Sequence, residues 1–132
     1  MPNSLKLSET FPVSAQLLYD AWIDADSHSE FTGSDAECDP KVGGKYSAWD
    51  GYIFGKNLKL EPYKRIVQSW RTTEFAETDK DSQIEILFEP VSDEECRFTL
   101  IHTNIPKGET EKYKQGWIDY YLEPMKEYFI EL

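Results

Sequence analysis

Residues 45–56 read KYSAWDGYIFGK, with an Asp50-Gly51 pair between two strand-like runs. Asp-Gly in this position is a strong signal for a two-residue hairpin turn, because both central residues of the turn need positive φ. The turn also sets the pairing register, so that Trp49 faces Tyr52 across the hairpin. We therefore predict two antiparallel strands here, at residues 45–49 and 52–60.

The predicted register divides the hairpin into two faces. The first face carries lysines and aromatic residues, namely Lys45, Ser47, Trp49, Tyr52, Phe54 and Lys56. The second face has no charged residue and consists of Tyr46, Ala48, Ile53 and Gly55. Because burying a charge is costly, we assign the second face to the concave side of the sheet. The small residues Ala48 and Gly55 indicate either a cavity there or a close approach of a helix to the sheet.

Further elements extend from the hairpin in both directions. Towards the N-terminus, the pattern predicts a strand at Leu5–Phe11, a helix from the N-cap Ser14 to Ile23, and a short helix that a Ser27–Glu30 capping box opens and Gly33 ends. Towards the C-terminus, it predicts strands at 65–71, 82–89 and 96–104, then one long helix from Gly108 to Phe129. An interior Pro124 indicates either a kink that shapes a cavity mouth or a bend that wraps the helix around the sheet.

This order of elements predicts an α+β fold with an antiparallel sheet of about six or seven strands. A twisted sheet of this size curls, and the single long helix must cover its concave apolar face. The expected architecture is a helix-grip, in which any unfilled space between sheet and helix becomes a cavity. With 132 residues and no repeat or linker, we expect one domain over residues 1–132.

Composition narrows the function classes. The 25 acidic residues exceed the 14 basic ones, and the formal net charge of −11 argues against nucleic acids and anionic membranes as partners. No segment approaches the roughly 20 apolar residues that cross a bilayer, and the first residues do not have the pattern of a signal peptide. We therefore expect a cytoplasmic protein in which Cys38 and Cys96 are free thiols.

Two polar residues, Gln68 and His102, are predicted to point into the apolar core. Gln68 shares a strand face with Trp70, and His102 ends the face of Phe98 and Leu100. Each is either a hydrogen-bonded core residue or a polar group that orients a mostly apolar ligand. A core residue needs hydrogen-bond partners within the protein, whereas a ligand-binding group must reach a cavity.

The final helix presents Trp117, Tyr121 and Met125 on one stripe towards the sheet. This stripe and the concave face of the sheet form the candidate ligand cavity. Its predicted lining residues are Tyr46, Ala48, Ile53, Gly55, Gln68, Trp70, Phe98, Leu100, His102, Trp117, Tyr121 and Met125. His28 is predicted on an exposed short helix and receives no role.

Catalytic motifs are missing from the sequence. It contains no nucleophile elbow, no zinc-protease motif and no glycine-rich phosphate loop, and neither histidine has a second metal ligand nearby in the chain. We predict no cofactor, no metal site and no catalytic residue. The one alternative is an acid–base site in which His102 acts with Tyr46 or Tyr121.

Several short motifs follow one another in a distinctive order and spacing. They are Glu9–Phe11 followed by Leu18-Tyr19, then Gly43–Tyr46, Asp50–Gly55, Leu60–Pro62, Ile66–Arg71 and Gln115–Tyr121. Together they resemble the C-terminal domain of the family of activators of the heat-shock-protein-90 ATPase. That domain belongs to the START-like, birch-pollen-allergen-like superfamily, and the resemblance runs from about residue 5 to residue 129.

The resemblance implies the helix-grip fold, a cavity and a secondary contact with a heat-shock-protein-90-type chaperone. Eukaryotic activators carry an additional N-terminal domain that supplies the main activating surface. We expect it to be absent here, so full ATPase activation is not expected. The leading hypothesis is a non-enzymatic binding protein that binds an apolar small molecule, regulates a chaperone, or does both. The alternative is a small START-like enzyme of the cyclase or dehydratase type that uses His102.

Overall fold

The computed structural model describes residues 4–130 and confirms the predicted α+β helix-grip fold. In chain order, its elements are β1 (Leu5–Phe11), α1 (Ala15–Ile23), α2 (Ala25–Thr32), β2 (Glu37–Cys38), β3 (Lys45–Ala48), β4 (Ile53–Glu61), β5 (Arg65–Thr72), β6 (Ser82–Ser92), β7 (Glu95–Thr103), α3 (Thr110–Trp117), a π-helical turn (Ile118–Leu122) and α4 (Glu123–Ile130). The seven strands form one antiparallel sheet in the order β1-β7-β6-β5-β4-β3-β2. The sequence pattern does not predict β2, because two residues are too few to carry a period.

The β3–β4 hairpin has the predicted register. Ser47 pairs with Phe54 and Ala48 pairs with Ile53, which is the register expected for a turn centred on Asp50-Gly51. Asp50 has φ 56° and Gly51 has φ 87°, which are the positive values that this turn requires.

The prediction of free space at Gly55 is wrong. A Cβ atom added there would lie 2.1 Å from the Ser69 carbonyl oxygen of β5 and 2.9 Å from the Tyr46 ring. The Tyr46 hydroxyl donates to the same Ser69 carbonyl at 2.6 Å. Gly55 is therefore small because the neighbouring strand and a tyrosine ring occupy the space, and no cavity opens there.

One of the two N-terminal helix caps agrees with the sequence pattern, and the other does not. Ser14 caps α1 as predicted, and its hydroxyl accepts from the Leu17 N–H at 3.1 Å. The capping box predicted at Ser27 is wrong, because Asp24 caps α2 and accepts from the Ser27 N–H at 3.0 Å. The Asp24 carboxylate suits the positive end of the helix dipole and starts the helix one turn earlier. Gly33 ends α2 with φ 77°, as predicted.

The C-terminal helix is continuous but changes its hydrogen-bonding pattern in the middle. The Glu123 N–H bonds to the Ile118 carbonyl five residues back, which defines the π-helical turn. Pro124 follows at once, and it has no N–H to continue the regular ladder. The wider turn thus lies where the proline interrupts the α-helical pattern.

Side chains from both layers fill most of the space between the sheet and the helices. The largest fully buried ones include Phe11, Phe98, Leu100 and Met125. Within the described residues, none of the helices is long and apolar enough to cross a membrane. Cys38 and Cys96 are unpaired thiols.

Candidate functional site

An aromatic cleft of about 360 Å³ opens between the tip of the β3–β4 hairpin, strand β5 and the first half of the C-terminal helix. We call it the aromatic cleft. Its walls are formed by Trp49, Tyr52, Ile53, Trp70, Lys112, Tyr113, Gly116, Trp117, Tyr120 and Tyr121. Seven of these ten residues are aromatic, and the volume lies in the range of small-molecule sites.

Trp49 reaches the cleft because its backbone leaves the strand conformation. Its φ is 55°, a left-handed value that is uncommon for a bulky residue. The predicted alternation places Trp49 on the outer face, but alternation holds only for extended backbone. Instead, the indole lies 5.6 Å from the Tyr120 ring and 6.1 Å from the Tyr121 ring, measured between centroids. The hairpin tip thus folds over the helix and forms the mouth of the cleft.

The floor of the cleft is a set of packed rings. The Trp70 centroid lies 5.0 Å from that of Tyr113 and 5.7 Å from that of Trp117. Trp117 in turn packs on Tyr121 at 4.8 Å. These separations are typical of favourable edge and offset contacts, so the floor is closely packed and apolar.

His102 lies beneath this floor, fully buried and hydrogen-bonded through both ring nitrogens. The Trp117 Nε1–H donates to Nδ1 at 3.1 Å, and Nε2 lies 2.8 Å from the Ser82 hydroxyl. An indole N–H can only donate, so Nδ1 carries no proton and the proton is on Nε2, which donates to the Ser82 hydroxyl. The Ser82 hydroxyl in turn donates a hydrogen bond to the Trp70 carbonyl at 2.6 Å. Burial lowers the pKa of His102 to about 3. His102 is thus a neutral, hydrogen-bonded core residue, which was one of the two predicted alternatives.

His28 is buried, which contradicts the prediction of an exposed residue. Its Nδ1 lies 3.0 Å from the Trp22 carbonyl oxygen, and its Nε2 lies 2.9 Å from the Tyr121 hydroxyl. The carbonyl can only accept, so Nδ1–H donates and Nε2 accepts from Tyr121. Burial lowers the pKa of His28 to about 4, although the bond to Trp22 opposes the shift. Helix α2 begins one turn earlier than predicted, and this start is associated with an inward-facing His28.

Gln68 also has its polar atoms satisfied inside the protein. Its Oε1 accepts from the Trp22 Nε1–H at 3.2 Å, and its Nε2 donates to the Asn57 Oδ1 at 2.8 Å. The Asn57 Nδ2 in turn donates to the Asp39 and Lys41 carbonyl oxygens at 2.8 and 3.1 Å. This network fastens β4 and β5 to the loop before β3, which explains why a buried glutamine is tolerated.

Paired charges surround the rim of the cleft. The Lys112 ammonium donates to the Glu74 carboxylate and lies 3.7 Å from that of Glu109. Glu74 also accepts from the Tyr52 hydroxyl at 2.6 Å. The lysine and the tyrosine hydroxyl together lower the pKa of Glu74, while burial and then Glu74 raise the pKa of Tyr52 to about 12. Lys112, Glu74 and Glu109 at the rim are therefore already paired with one another.

A second depression, the acidic groove, runs between α1, the start of α2 and the end of α4. It encloses about 960 Å³ and has apolar side chains such as Leu17 and Ile23 in its wall. Three aspartates, Asp20, Asp24 and Asp26, also line it. Among the described residues, the groove wall includes no lysine or arginine, so its surface potential is negative.

No metal centre is evident in residues 4–130, because no group of three or more His, Cys, Asp and Glu side chains is arranged to hold an ion. The side chains that could supply acid–base chemistry are also engaged. The Tyr46 hydroxyl donates to Ser69, and that of Tyr121 to His28. Neither tyrosine is hydrogen-bonded to His102, whose two nitrogens are already occupied.

Residues 12–129 match the family described as activator of Hsp90 ATPase homolog 1-like protein. The chain belongs to this family. A curated relative, the activator of 90 kDa heat shock protein ATPase homolog of Dictyostelium discoideum, is 33% identical over 127 residues, which cover 96% of this chain and 33% of the relative. The corresponding homolog 1 of Homo sapiens is 30% identical over 135 residues and covers 95% of this chain and 36% of the relative.

A solved structure of similar length also matches this member of the family. The crystal structure of an HSP90 activator from Plasmodium falciparum superposes with a TM-score of 0.85 at 31% identity and covers 91% of both chains. The chain spans about a third of the length of the curated relatives that it matches. The START-like fold expected from the sequence motifs is thus confirmed.

The structure distributes the twelve predicted cavity residues among three environments in this family member. Ile53, Trp70, Trp117 and Tyr121 line the aromatic cleft. Tyr46 and Gln68 border a separate void of about 20 Å³ beneath the cleft floor. The others lie outside the cleft wall, within the core or between strands, and are Ala48, Gly55, Phe98, Leu100, His102 and Met125.

Six cleft residues were not predicted from the sequence, namely Trp49, Tyr52, Lys112, Tyr113, Gly116 and Tyr120. Two sequence signals could have identified some of them. Trp49 adjoins the Asp-Gly turn, where alternation of faces ends. Tyr113 and Gly116 lie one helical turn before Trp117 and Tyr120, so that the helix face continues through them. Tyr52 and Lys112 reach the rim through Glu74, which is a long-range contact that no local pattern contains.

Proposed function

We propose that this domain is a non-enzymatic regulator that binds an Hsp90-type chaperone. The observation that carries the proposal is the match of nearly the whole chain to the activator family, together with a structural neighbour of equal extent that is named an HSP90 activator. The curated relatives named as activators are about three times longer. The proposed role is therefore a chaperone contact, and full stimulation of the ATPase is not required.

The acidic groove is the surface that we assign to this contact. Leu17, which is 42% exposed, offers apolar area beside the aspartates. A partner with a basic and partly apolar patch would bury Leu17 and neutralise Asp20 and Asp26. Complementary charge of this kind speeds association and makes it sensitive to salt.

Isothermal titration calorimetry with the Hsp90 of the same organism tests the contact. We expect binding at low salt that weakens as the ionic strength rises. The double substitution Asp20→Asn with Asp26→Asn should weaken binding about fivefold or more, because two charges facing the partner are lost. Asp24 is left unchanged because it caps α2.

A matched control removes two charges elsewhere. Asp93→Asn with Glu94→Gln lies in the exposed β6–β7 turn and changes the net charge by the same amount. Equal weakening by both double variants would show that only overall charge matters and would contradict a contact at the groove. The absence of any heat or affinity at low salt would overturn the chaperone role.

A second function, the binding of an apolar small molecule, is favoured by the aromatic cleft. The cleft encloses about 360 Å³ between ring faces, which is enough for a small organic ligand. Native mass spectrometry of the purified protein should reveal a bound molecule that leaves on mild activation. A protein that shows only its own mass and binds none of a panel of apolar probes would contradict this function.

We further propose that residues 1–132 act as one domain and that they do so in the cytoplasm. One continuous hydrophobic core joins the sheet to every helix, which supports a single folding unit. The unpaired Cys38 and Cys96 suit a reducing compartment. The enzymatic alternative is not favoured, because both ring nitrogens of His102 are engaged in hydrogen bonds.

A further inference from the structure

Three polar groups of the aromatic cleft are hydrogen-bonded to partners outside the space that a ligand would fill. The Trp117 Nε1–H donates to His102, and the Tyr121 hydroxyl donates to His28. The Tyr113 hydroxyl lies 3.2 Å from the Thr72 hydroxyl, outside the cleft wall. Breaking any of these bonds to serve a ligand would leave a buried partner unsatisfied, which is costly. A ligand therefore meets mainly the faces and edges of rings.

The charges at the rim do not favour an ionic ligand of either sign. Among residues 4–130, Lys112 is the one basic residue of the cleft wall, and two glutamates, Glu74 and Glu109, already bind it. Its ammonium also lies 5.3 Å from the Tyr113 ring centroid, where a ligand cation would otherwise bind. An anion would have to displace Glu74 and would approach a protein of net charge −11. A cation would have to share the ring with Lys112.

We propose that the aromatic cleft binds a neutral, planar aromatic molecule. The inference rests on the small-molecule function proposed above and specifies the chemical class of the ligand. Flat rings gain most from this site, because they can stack on the indoles of Trp49 and Trp117 and meet the edges of neighbouring rings. A neutral ligand also leaves every hydrogen bond and ion pair of the wall intact.

The mouth of the cleft has a residue held in place for such contacts. Trp49 keeps a left-handed backbone conformation that a bulky side chain seldom adopts. Its indole is thereby placed against the exposed Tyr120, whose ring forms the opposite side of the mouth. A planar ligand that binds in the cleft against these two rings would change the emission of Trp49.

Two probes of nearly the same shape test the proposal. N-phenyl-1-naphthylamine is neutral, whereas 8-anilinonaphthalene-1-sulfonate has the same ring skeleton with one negative charge. Quenching of tryptophan fluorescence reports the binding of either, because Trp49, Trp70 and Trp117 all line the cleft. We expect the neutral probe to bind at least about tenfold more tightly than the anion, because the anion must bury an unpaired charge. Phenyltrimethylammonium serves as the cationic counterpart and should also bind weakly.

Gly116 offers a variant that blocks the cleft without damaging the fold. A Cβ atom added there has Tyr120 Cδ2 at 4.0 Å as its nearest neighbour, which is an ordinary contact, and Gly116 lies inside α3. Gly116→Leu should occupy the cleft and weaken the neutral probe at least about tenfold, since the site is filled. Gly116→Ala is the matched control and should change its affinity by less than about threefold, because one methyl group removes little volume.

The outcomes separate this inference from the functions on which it rests. If the charged probes bind as tightly as the neutral one, the ligand class is wrong while small-molecule binding stands. If Gly116→Leu leaves the affinity unchanged, the probe binds elsewhere and the assignment to the cleft is overturned. If no probe binds, both the ligand class and the small-molecule function fail. The chaperone titration on the same variants is independent, because the acidic groove shares no residue with the cleft.

Discussion

The two halves of the C-terminal helix have similar apolar stripes and different surroundings. In α4, Met125 and Phe129 are 0% and 2% exposed, and the Phe129 ring lies 5.8 Å from that of Phe11 in β1. In α3 and the π-helical turn, Trp117 is also buried, but Tyr120 is 59% exposed and the cleft opens beside both. One half of the helix completes the core, and the other half lines the aromatic cleft.

The difference depends on what faces each half. Helix α2 and strand β1 both contact α4, and Phe31 packs against Phe129 at 6.4 Å. Opposite the first half, the tip of the β3–β4 hairpin places Trp49 against Tyr120 at the mouth of the cleft, and the cleft opens between hairpin and helix. The π-helical turn at Ile118–Leu122 lies between the two halves. A change of helical geometry therefore coincides with the change from core to cleft.

A pair of aromatic-to-alanine substitutions gives the largest contrast between the halves. Phe129→Ala should lower the free energy of unfolding by about 3–5 kcal/mol, because it leaves a cavity among buried rings. Tyr120→Ala should lower it by less than about 1 kcal/mol, since the ring is mostly exposed. Urea denaturation measures both values, and a two-state transition is the condition for comparing them.

Affinity for the neutral naphthylamine probe should show the opposite order. Tyr120→Ala removes one side of the cleft mouth and should weaken binding, whereas Phe129→Ala should leave binding nearly unchanged where the protein is folded. If Tyr120→Ala were the more destabilising variant, the distinction between a packed half and an open half would be wrong.

A smaller effect is expected from pH, through the two histidines below the cleft floor. Their pKa values fall from an unfolded value near 6.5 to about 4 for His28 and about 3 for His102. Because the unfolded chain binds these protons first, their contribution to stability is complete above pH 6.5 and is lost as the pH falls towards 4 and 3. Between pH 7 and pH 5, each histidine should lower the free energy of unfolding by on the order of 2 kcal/mol. Urea titrations at several pH values measure this slope.

Glutamine is the matched replacement for each histidine, because it can both donate and accept. His102→Gln should remove about half of the slope between pH 7 and pH 5, and His28→Gln the other half. A slope that both variants leave unchanged would mean that neither histidine is held neutral by the fold.

Two glycines are predicted to change the stability of the protein in opposite directions when replaced by alanine. Gly55→Ala should destabilise the protein by roughly 1–3 kcal/mol, because its Cβ atom would meet the Ser69 carbonyl of β5. Gly116→Ala should stabilise it by about 0.5–1 kcal/mol, because alanine is the better helix former and has room there. Thermal denaturation distinguishes the two signs. Equal effects would contradict the view that the sheet side is filled and the α3 side is open.

Local signals predicted much of the fold. The hairpin register, the Ser14 cap and the Gly33 terminus depend on neighbouring residues and were all confirmed. The start of α2 was missed, because Asp24 and Ser27 both suit an N-cap and the choice depends on how the helix packs. With that choice, the prediction for His28 also failed, and the residue proved to be buried.

The candidate site was predicted only in part. Trp70 and Trp117 could be identified because strand and helix periods place them on inward faces. Trp49 could not, since its positive φ breaks the period on which the assignment of faces relies. Gly55 could not be assigned from the sequence, which left a cavity and a close approach of the helix as alternatives, and the close neighbour proved to be strand β5 at Ser69.

By itself, the sequence determined the α+β helix-grip fold, the pairing of the central hairpin and the family, because periodicity, turn chemistry and ordered motifs are local properties of the chain. Only the tertiary structure decided which apolar residues are core and which line a cleft, because that depends on what lies opposite each side chain. The same reason applies to the buried polar residues: Gln68 and His102 are structural because their partners, Trp22 and Trp117, come from distant parts of the chain or from another layer.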